Sequence, residues 1–225
     1  MPISRLSDIA VVHPPIRRIT GSADLPLSAD GVKQAQELGE RLAGKFTKVF
    51  ASPTRRAMQT ASAIDPKAEP DHFLGPIRMG KFEGRPAQEM HPQIADHFAN
   101  KPHESFGKSP FSGKQGENPD QARRRILGRV HAQLAGIKKG QKVLDLTHGR
   151  NIRMVHAWLK NGAPKDLSIS AEEMTSTKDP TPPGDILHVN MREKRLSEVK
   201  VPEVDGLYLG RHAKTIWSEG GGTAS

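Results

Sequence analysis

The sequence predicts an α/β three-layer sandwich with a mostly parallel central sheet. The order strand, turn, helix occurs twice, over residues 48–64 and 142–161, and a further short apolar run stands at residues 206–211. No internal repeat or low-complexity tract interrupts the alternation. At 225 residues one domain spanning 1–225 is expected, long enough to bury a core without disulfides. With no cysteine, neither a disulfide nor a thiolate nucleophile is available.

The first element is the apolar run Ile9-Ala10-Val11-Val12, short enough for a buried strand and stopped by Pro14-Pro15. Val32, Ala35, Leu38 and Leu42 then recur at helical spacing, with Ser28 or Asp30 as cap and Gly44 closing the end. Lys48-Val49-Phe50-Ala51 reads as a strand, and Ser52-Pro53 opens a helix to Ile64 because proline suits a first helical turn. Residues 65–84, rich in proline and glycine, read as irregular. Residues 86–100 read as helix with a break before Pro92, and residues 101–118 as a long polar loop.

The helix over residues 120–137 carries Ala122, Ile126, Val130, Leu134 and Ile137 on one stripe, and Arg123, Arg124, Arg125 and Arg129 are read as its solvated face. Lys142-Val143-Leu144-Asp145-Leu146-Thr147 is a strand, followed by a helix over residues 151–161 with Ile152, Val155 and Trp158 inward. A proline-rich connection at 178–184 leads to paired strands at 186–191 and 196–201. The run over residues 206–211 closes the set, and the glycine-rich stretch 218–225 reads as a flexible tail.

With 34 Lys and Arg against 25 Asp and Glu, the net charge of +9 favours anionic partners. Aromatic residues make up 4% of the chain and do not interleave with the basic ones, so no base-stacking platform is indicated and nucleic acid is not the expected partner. No His-Glu-x-x-His pattern and no phosphate loop of the G-x-x-x-x-G-K-[ST] kind occur, and neither a metal nor another cofactor is expected. The absence of a long apolar run predicts a cytoplasmic protein with no membrane segment. No particular oligomeric state is predicted.

In an open α/β sheet the site lies at the carboxyl ends of the strands, where the following helices aim their amides. Three segments put chemistry there: Ser52-Pro53-Thr54-Arg55-Arg56-Ala57, Thr147-His148-Gly149-Arg150 and Arg211-His212-Ala213-Lys214-Thr215. Two imidazoles and several guanidiniums converging at helix N-termini suit a phosphate dianion, since arginine forks match its oxygens and imidazole can attack phosphorus.

These segments carry a resemblance to the histidine phosphatase superfamily, which includes the cofactor-dependent phosphoglycerate mutases. Arg211-His212-Ala213-Lys214-Thr215-Ile216-Trp217-Ser218 resembles the opening motif R-H-G-x-T-x-x-N, with Ala213 for Gly and Ser218 for Asn. Asp24-Leu25-Pro26-Leu27-Ser28-Ala29-Asp30-Gly31 resembles D-x-P-L-T-x-x-G, and Ser52 to Ala61 resembles S-P-x-x-R-A-x-x-T-A, aligning Arg56 with the phosphate-binding arginine. Gly80-Lys81-Phe82-Glu83-Gly84, Gly116-Glu117-Asn118 and Leu146-Thr147-His148-Gly149 follow in family order. Only the opening motif is displaced, which implies circular permutation: moving one strand to the other end preserves every sheet contact where the termini were close.

The resemblance implies a phosphomonoester hydrolase acting on a small phosphorylated substrate. His212 is the implied nucleophile, and Arg211, Arg56 and His148 the groups that hold the phosphoryl oxygens, with Thr215 and Ser218 as further donors. The family's general acid has no counterpart, because Pro76 and Gly149 stand at its two usual positions. Glu83 is then the nearest catalytic candidate, followed by Glu89, Glu117 or a water-borne proton, and Glu83 reads equally as a loop carboxylate bonded to backbone amides. Two other readings are a catalytically silent relative that binds a phosphorylated ligand, and a basic interaction module for nucleic acid or a larger assembly. A rival alignment puts His13 in the nucleophile's place, but Val12 then stands where arginine belongs and Arg211-His212 has no role.

Overall fold

The computed structural model describes residues 17–169 and 182–215. The expected strand at 9–12, His13, Ser218, the tail at 218–225 and part of the 178–184 connection lie outside the described residues.

Helix α1 (Ala29–Leu42) starts where the Ser28 hydroxyl accepts from the Gly31 amide at 3.0 Å, so Ser28 rather than Asp30 is the cap. Strand β1 (Lys48–Ala51) is followed by α2 (Arg55–Ile64), two residues later than expected, capped at Thr54. Ser52 Oγ turns back toward the Thr54 amide at 3.4 Å, keeping this stretch out of the helix. Two-residue strand β2 (Glu69–Pro70) lies inside the region read as irregular. Helix α3 (Ala87–Asn100) runs unbroken through Pro92. The expected break does not form because one lost amide costs less than the burial of Met90, Ile94 and Phe98, which the continuous helix stacks on one face.

Helix α4 (Pro119–Gly136) opens with a reciprocal cap between Asn118 and Gln121. Strand β3 (Lys142–Thr147) leads directly into α5 (Gly149–Lys160). Strands β4 (Ile186–Asn190), β5 (Arg195–Glu198) and β6 (Gly206–Arg211) complete the set.

The six strands form one sheet in the order β2-β1-β3-β6-β4-β5. The pairs β1–β2, β1–β3 and β3–β6 are parallel, whereas β4 runs antiparallel to both β6 and β5. The last strand in sequence is therefore interior, and Leu207, Tyr208 and Leu209 are buried on its two faces. On one face Leu38, Leu42, Ala61 and Ile64 of α1 and α2 pack against Val49, Leu144, Leu146 and Tyr208. On the other, Ile126, Val130, Ile152, Val155 and Trp158 of α4 and α5 cover Val143, Leu207 and Leu209. Helices lie on both faces, as the three-layer expectation requires.

The arginines of α4 are not the solvated face expected of them. Arg125 clamps Glu117 through Nε at 2.7 Å and Nη2 at 2.9 Å, and its Nη1 donates to the carbonyls of Phe73 and Gly75. Arg129 Nε holds Asp71 at 2.6 Å, and its Nη2 reaches Asp145 at 3.5 Å. Arg123 holds Asp120, and Arg124 alone of the four stays 70% exposed at its side chain. Apolar periodicity locates the buried stripe but does not register that carboxylates and carbonyls from distant loops can cover the flanks.

Candidate active site

Three parallel strands end side by side, and each hands over to a polar segment. After β1 comes Ser52, after β3 His148, and after β6 Arg211 is followed by His212. The helix after β1 lies on one face and the helix after β3 on the other, so the chain diverges above a crevice at the carboxyl ends. A cleft of about 270 Å³ opens there, and Arg56, His148, Arg211, His212 and Thr215 all line it.

The segment carrying His212 is held on four sides. The His212 amide donates to the Thr147 carbonyl at 3.3 Å, and the Ala213 amide to Thr60 Oγ1 at 3.1 Å. The Lys214 amide donates to Gln34 Oε1 at 3.2 Å, and the Lys214 carbonyl accepts from the Ser28 amide at 3.1 Å. Residue 31 must be glycine for this docking, because a Cβ there would stand 2.0 Å from the Lys214 carbonyl oxygen. Residues 24–31 and 211–215, at opposite ends of the sequence, thus meet in space.

The rings of His148 and His212 lie 5.1 Å apart between centroids, inclined by 61°. His212 Nδ1 lies 2.7 Å from the Ala213 carbonyl oxygen, which can only accept, so Nδ1 carries the proton and the lone pair sits on Nε2. His148 Nδ1 lies 3.4 Å from Arg56 Nη2, which can only donate, so the neutral ring carries its proton on Nε2 and donates to Ser52 Oγ at 2.8 Å. Both histidines are more than nine-tenths buried. Burial and the positive charge of Arg56, with Arg211 adding to it, drive His212 down to about 3, even though the Ala213 carbonyl pulls the other way. Burial followed by Arg56, His212, Arg125 and Arg211 holds His148 well below the ordinary histidine value. Both rings are neutral at pH 7, the state in which an imidazole is a nucleophile.

Arg56 is 1% exposed. Its Nη1 donates to the Ala23 carbonyl at 2.7 Å and its Nη2 to Gly21 at 3.1 Å, which ties the 20–24 loop over the cleft. Burial lowers its pKa to about 10 against the pull of Asp24 and Glu83. Arg211 lies across the start of α5. A Cβ on residue 149 would stand 3.1 Å from its Cζ, so the glycine that replaces the expected acid also makes room for this guanidinium.

Glu83 is not brought into the cleft. It is buried, and its carboxylate accepts from the Ser22 amide at 2.8 Å, the Met79 amide at 3.0 Å and the hydroxyls of Ser22 and Ser109. A carboxylate that accepts from four donors binds loops together and is turned away from any leaving oxygen. Glu117 is likewise locked to Arg125, and Glu89 is exposed on α3. Among the described residues no Asp or Glu lines the cleft, and no group of three or more His, Cys, Asp or Glu side chains is placed to hold a metal ion.

Arg150 and Ser52, within the segments read as bearing chemistry, are where they were expected: Arg150 lines the cleft and Ser52 supports His148 from beneath. Sequence reasoning missed Arg17, Arg18, His91 and Arg153, which line the cleft as well. For Arg153 a signal was present, since it stands within a few residues of a strand's carboxyl end. Arg17, Arg18 and His91 carried none, since their loop and helix reach the cleft only through tertiary packing.

The fold and the cleft together define an α/β protein with paired histidines and arginines around one cleft at the carboxyl ends of a mostly parallel sheet. The chain belongs to the histidine phosphatase superfamily (branch 1), whose family model matches residues 13–176. It is 29% identical over 143 residues to "Probable phosphoglycerate mutase GpmB" of Yersinia pestis (strain Pestoides F), covering 59% of this chain and 62% of that protein. The match thus spans less than two thirds of the relative's length. Among solved structures, the alpha-ribazole phosphatase from Shigella flexneri superposes with a TM-score of 0.55 at 21% identity, covering 84% of this chain and 92% of that one. A phosphoglycerate mutase from Thermus thermophilus gives 0.53 at 22%, covering 83% and 90%. These structural likenesses concern the fold. No described helix is long and apolar enough to cross a membrane.

Proposed function

We propose that this chain hydrolyses phosphomonoesters through a phosphohistidine on His212, in a circularly permuted member of the family. The observation that carries the proposal is the pairing of a neutral His212, its Nε2 lone pair set by the Ala213 carbonyl, with His148, Arg56 and Arg211 around one cleft. One feature supports the permutation: the strand that ends at Arg211 and leads into His212 is interior and parallel to β3, where an opening strand would belong. Both catalytic imidazoles then come from strand ends that are neighbours in space.

His212 Nε2 attacks phosphorus in line, the ester oxygen leaves, and water discharges the phosphohistidine in a second displacement. Arg56 and Arg211 hold the equatorial oxygens in a buried setting where each donor strengthens as charge develops. His148 accepts from Arg56 Nη2 through Nδ1 at 3.4 Å and so positions that guanidinium against the phosphoryl group. With no carboxylate lining the cleft among the described residues, the leaving oxygen takes its proton from water or from the phosphate itself, which favours esters with good leaving groups. Hydrolysis is preferred to mutase chemistry because no described cleft residue is a carboxylic acid that would exchange protons with the substrate hydroxyls as a phosphoryl group passes between them.

The test is turnover of an aryl phosphate. Activity should be present in the wild type, absent in His212→Ala and retained in His13→Ala. Activity that survives His212→Ala, or falls instead with His13→Ala, overturns the reading.

A further inference from the structure

We infer that Glu83 is a positioning residue for Arg56, acting through the peptide unit that joins Gly21 to Ser22. This role rests on the phosphatase reading, in which Arg56 holds a phosphoryl oxygen.

That peptide unit lies between two opposite charges. Its carbonyl, on Gly21, accepts from Arg56 Nη2 at 3.1 Å, and its N–H, on Ser22, donates to Glu83 Oε1 at 2.8 Å. A carbonyl toward the cation and an amide toward the anion is the favourable sense of the peptide dipole at both ends. Each bond then polarises the other, in a setting where Arg56 and Glu83 are both buried. The Ser22 hydroxyl adds a second tie to the carboxylate, and the Met79 amide and Ser109 hydroxyl hold the carboxylate itself in place.

The backbone leaves this unit free to turn. Ile19 is pinned by its amide to the Arg85 carbonyl and by its carbonyl to the Gly84 amide, and past it the chain closes a turn from the Ala23 amide to the Thr20 carbonyl. Inside that turn Gly21 has a φ of +48°, a region glycine enters without steric cost, so rotation of its peptide meets little resistance. A Cβ on residue 21 would stand 2.3 Å from Glu83 Oε1, which shows how closely the carboxylate packs against the unit it orients. The oriented Gly21 carbonyl, with the Ala23 carbonyl 2.7 Å from Nη1, sets the plane of the Arg56 guanidinium. Arg56 Nε, buried and without a hydrogen-bond partner among the described residues, is left as a donor for the substrate.

The test is a double-mutant cycle in the full-length chain, read as kcat/KM per folded molecule. The substrates are p-nitrophenyl phosphate and phenyl phosphate, whose leaving phenols differ in acidity. Glu83→Gln should lower kcat/KM by about tenfold, the scale of one misplaced donor, and by the same factor on both esters. On an Arg56→Ala background the same substitution should cost less than about twofold, because the group it positions is gone. Ser22→Ala, which keeps the carboxylate and removes one of its bonds, should repeat the pattern at about threefold, and it carries the test where Glu83→Gln does not fold. Unchanged kcat/KM in the folded variants makes Glu83 framework alone and overturns the role. A loss that multiplies with that of Arg56→Ala overturns it as well, and so does a loss larger for phenyl phosphate, the mark of a proton donor. In each of these outcomes the wild type turns over and His212→Ala does not, so the phosphatase reading stands. A wild type without turnover overturns both.

Discussion

Buried and half-buried arginines occur in two regions of this molecule, and they differ in what faces them. On α4, Arg125 and Arg129 meet the carboxylates of Glu117, Asp71 and Asp145, and with the neighbouring carbonyls they hold the 71–77 loop against the sheet. Around the cleft, Arg56 meets the carbonyls of Ala23 and Gly21 and the neutral His148, Arg211 lines the same space, and no described carboxylate lines the wall. A largely buried cation beside a carboxylate is framework, while the cations around the cavity have the surroundings that the proposed phosphate seat requires.

The largest effect expected follows from removing the nucleophile. His212→Ala should cost at least about a thousandfold in turnover of an aryl phosphate, as for other residues that form the covalent intermediate. Arg56→Ala should lower kcat/KM by about a hundredfold or more through the transition state. In the framework the same residue type should fail differently. Arg129→Ala leaves Asp145 and Asp71 without their partner and should reduce unfolding free energy by roughly 3 kcal/mol in urea titration, with the remaining folded protein still binding phosphate. If Arg129→Ala lost phosphate binding without losing stability, the distinction between the two regions would fail.

Titration sharpens the contrast. His212 is pushed down to about 3, so kcat/KM corrected for substrate ionisation should hold from pH 8 to pH 5 and not fall near 6.5 as an exposed histidine would require. Asp145 moves the opposite way, raised to about 7 by burial despite Arg129. A carboxyl raised in the folded state binds its proton more tightly there than in the unfolded chain, so its contribution to stability improves as pH falls from about 7 toward the unfolded value. Asp145→Asn should therefore be most stabilising, relative to wild type, above pH 7, and its advantage should vanish near pH 4. The smallest effect concerns Glu83: Glu83→Gln should lower stability by about 2 kcal/mol because an amide group then faces four donors. Loss of the alkaline limb of the pH–rate profile in that variant would instead make Glu83 the acid.

Much of this was legible in the chain itself, because strand-turn-helix order and apolar runs reflect local physics. The run at 206–211 could be read as a buried strand, and its interior position follows from Arg211-His212 needing to stand beside His148. Strand β2 was not legible, since Glu69 and Pro70 are exposed and two residues carry no periodicity. The continuity of α3 through Pro92 and the pairing of Arg125 and Arg129 depend on partners far away in sequence, which no local pattern encodes. Glu83 shows the same limit in the site: as the carboxylate nearest in sequence to the missing acid it reads equally as a catalytic group and as a loop carboxylate bonded to backbone amides, and the four donors around it favour the second.

The most direct test of the account is to trap the covalent intermediate. The protein would be mixed with an aryl phosphate, quenched under conditions that preserve phosphohistidine, and its peptides mapped by mass spectrometry. A single phosphoryl group on the peptide containing His212, missing from His212→Ala, is the predicted result. Phosphorylation of the peptide containing His13, or turnover with no phosphohistidine at any position, would contradict it.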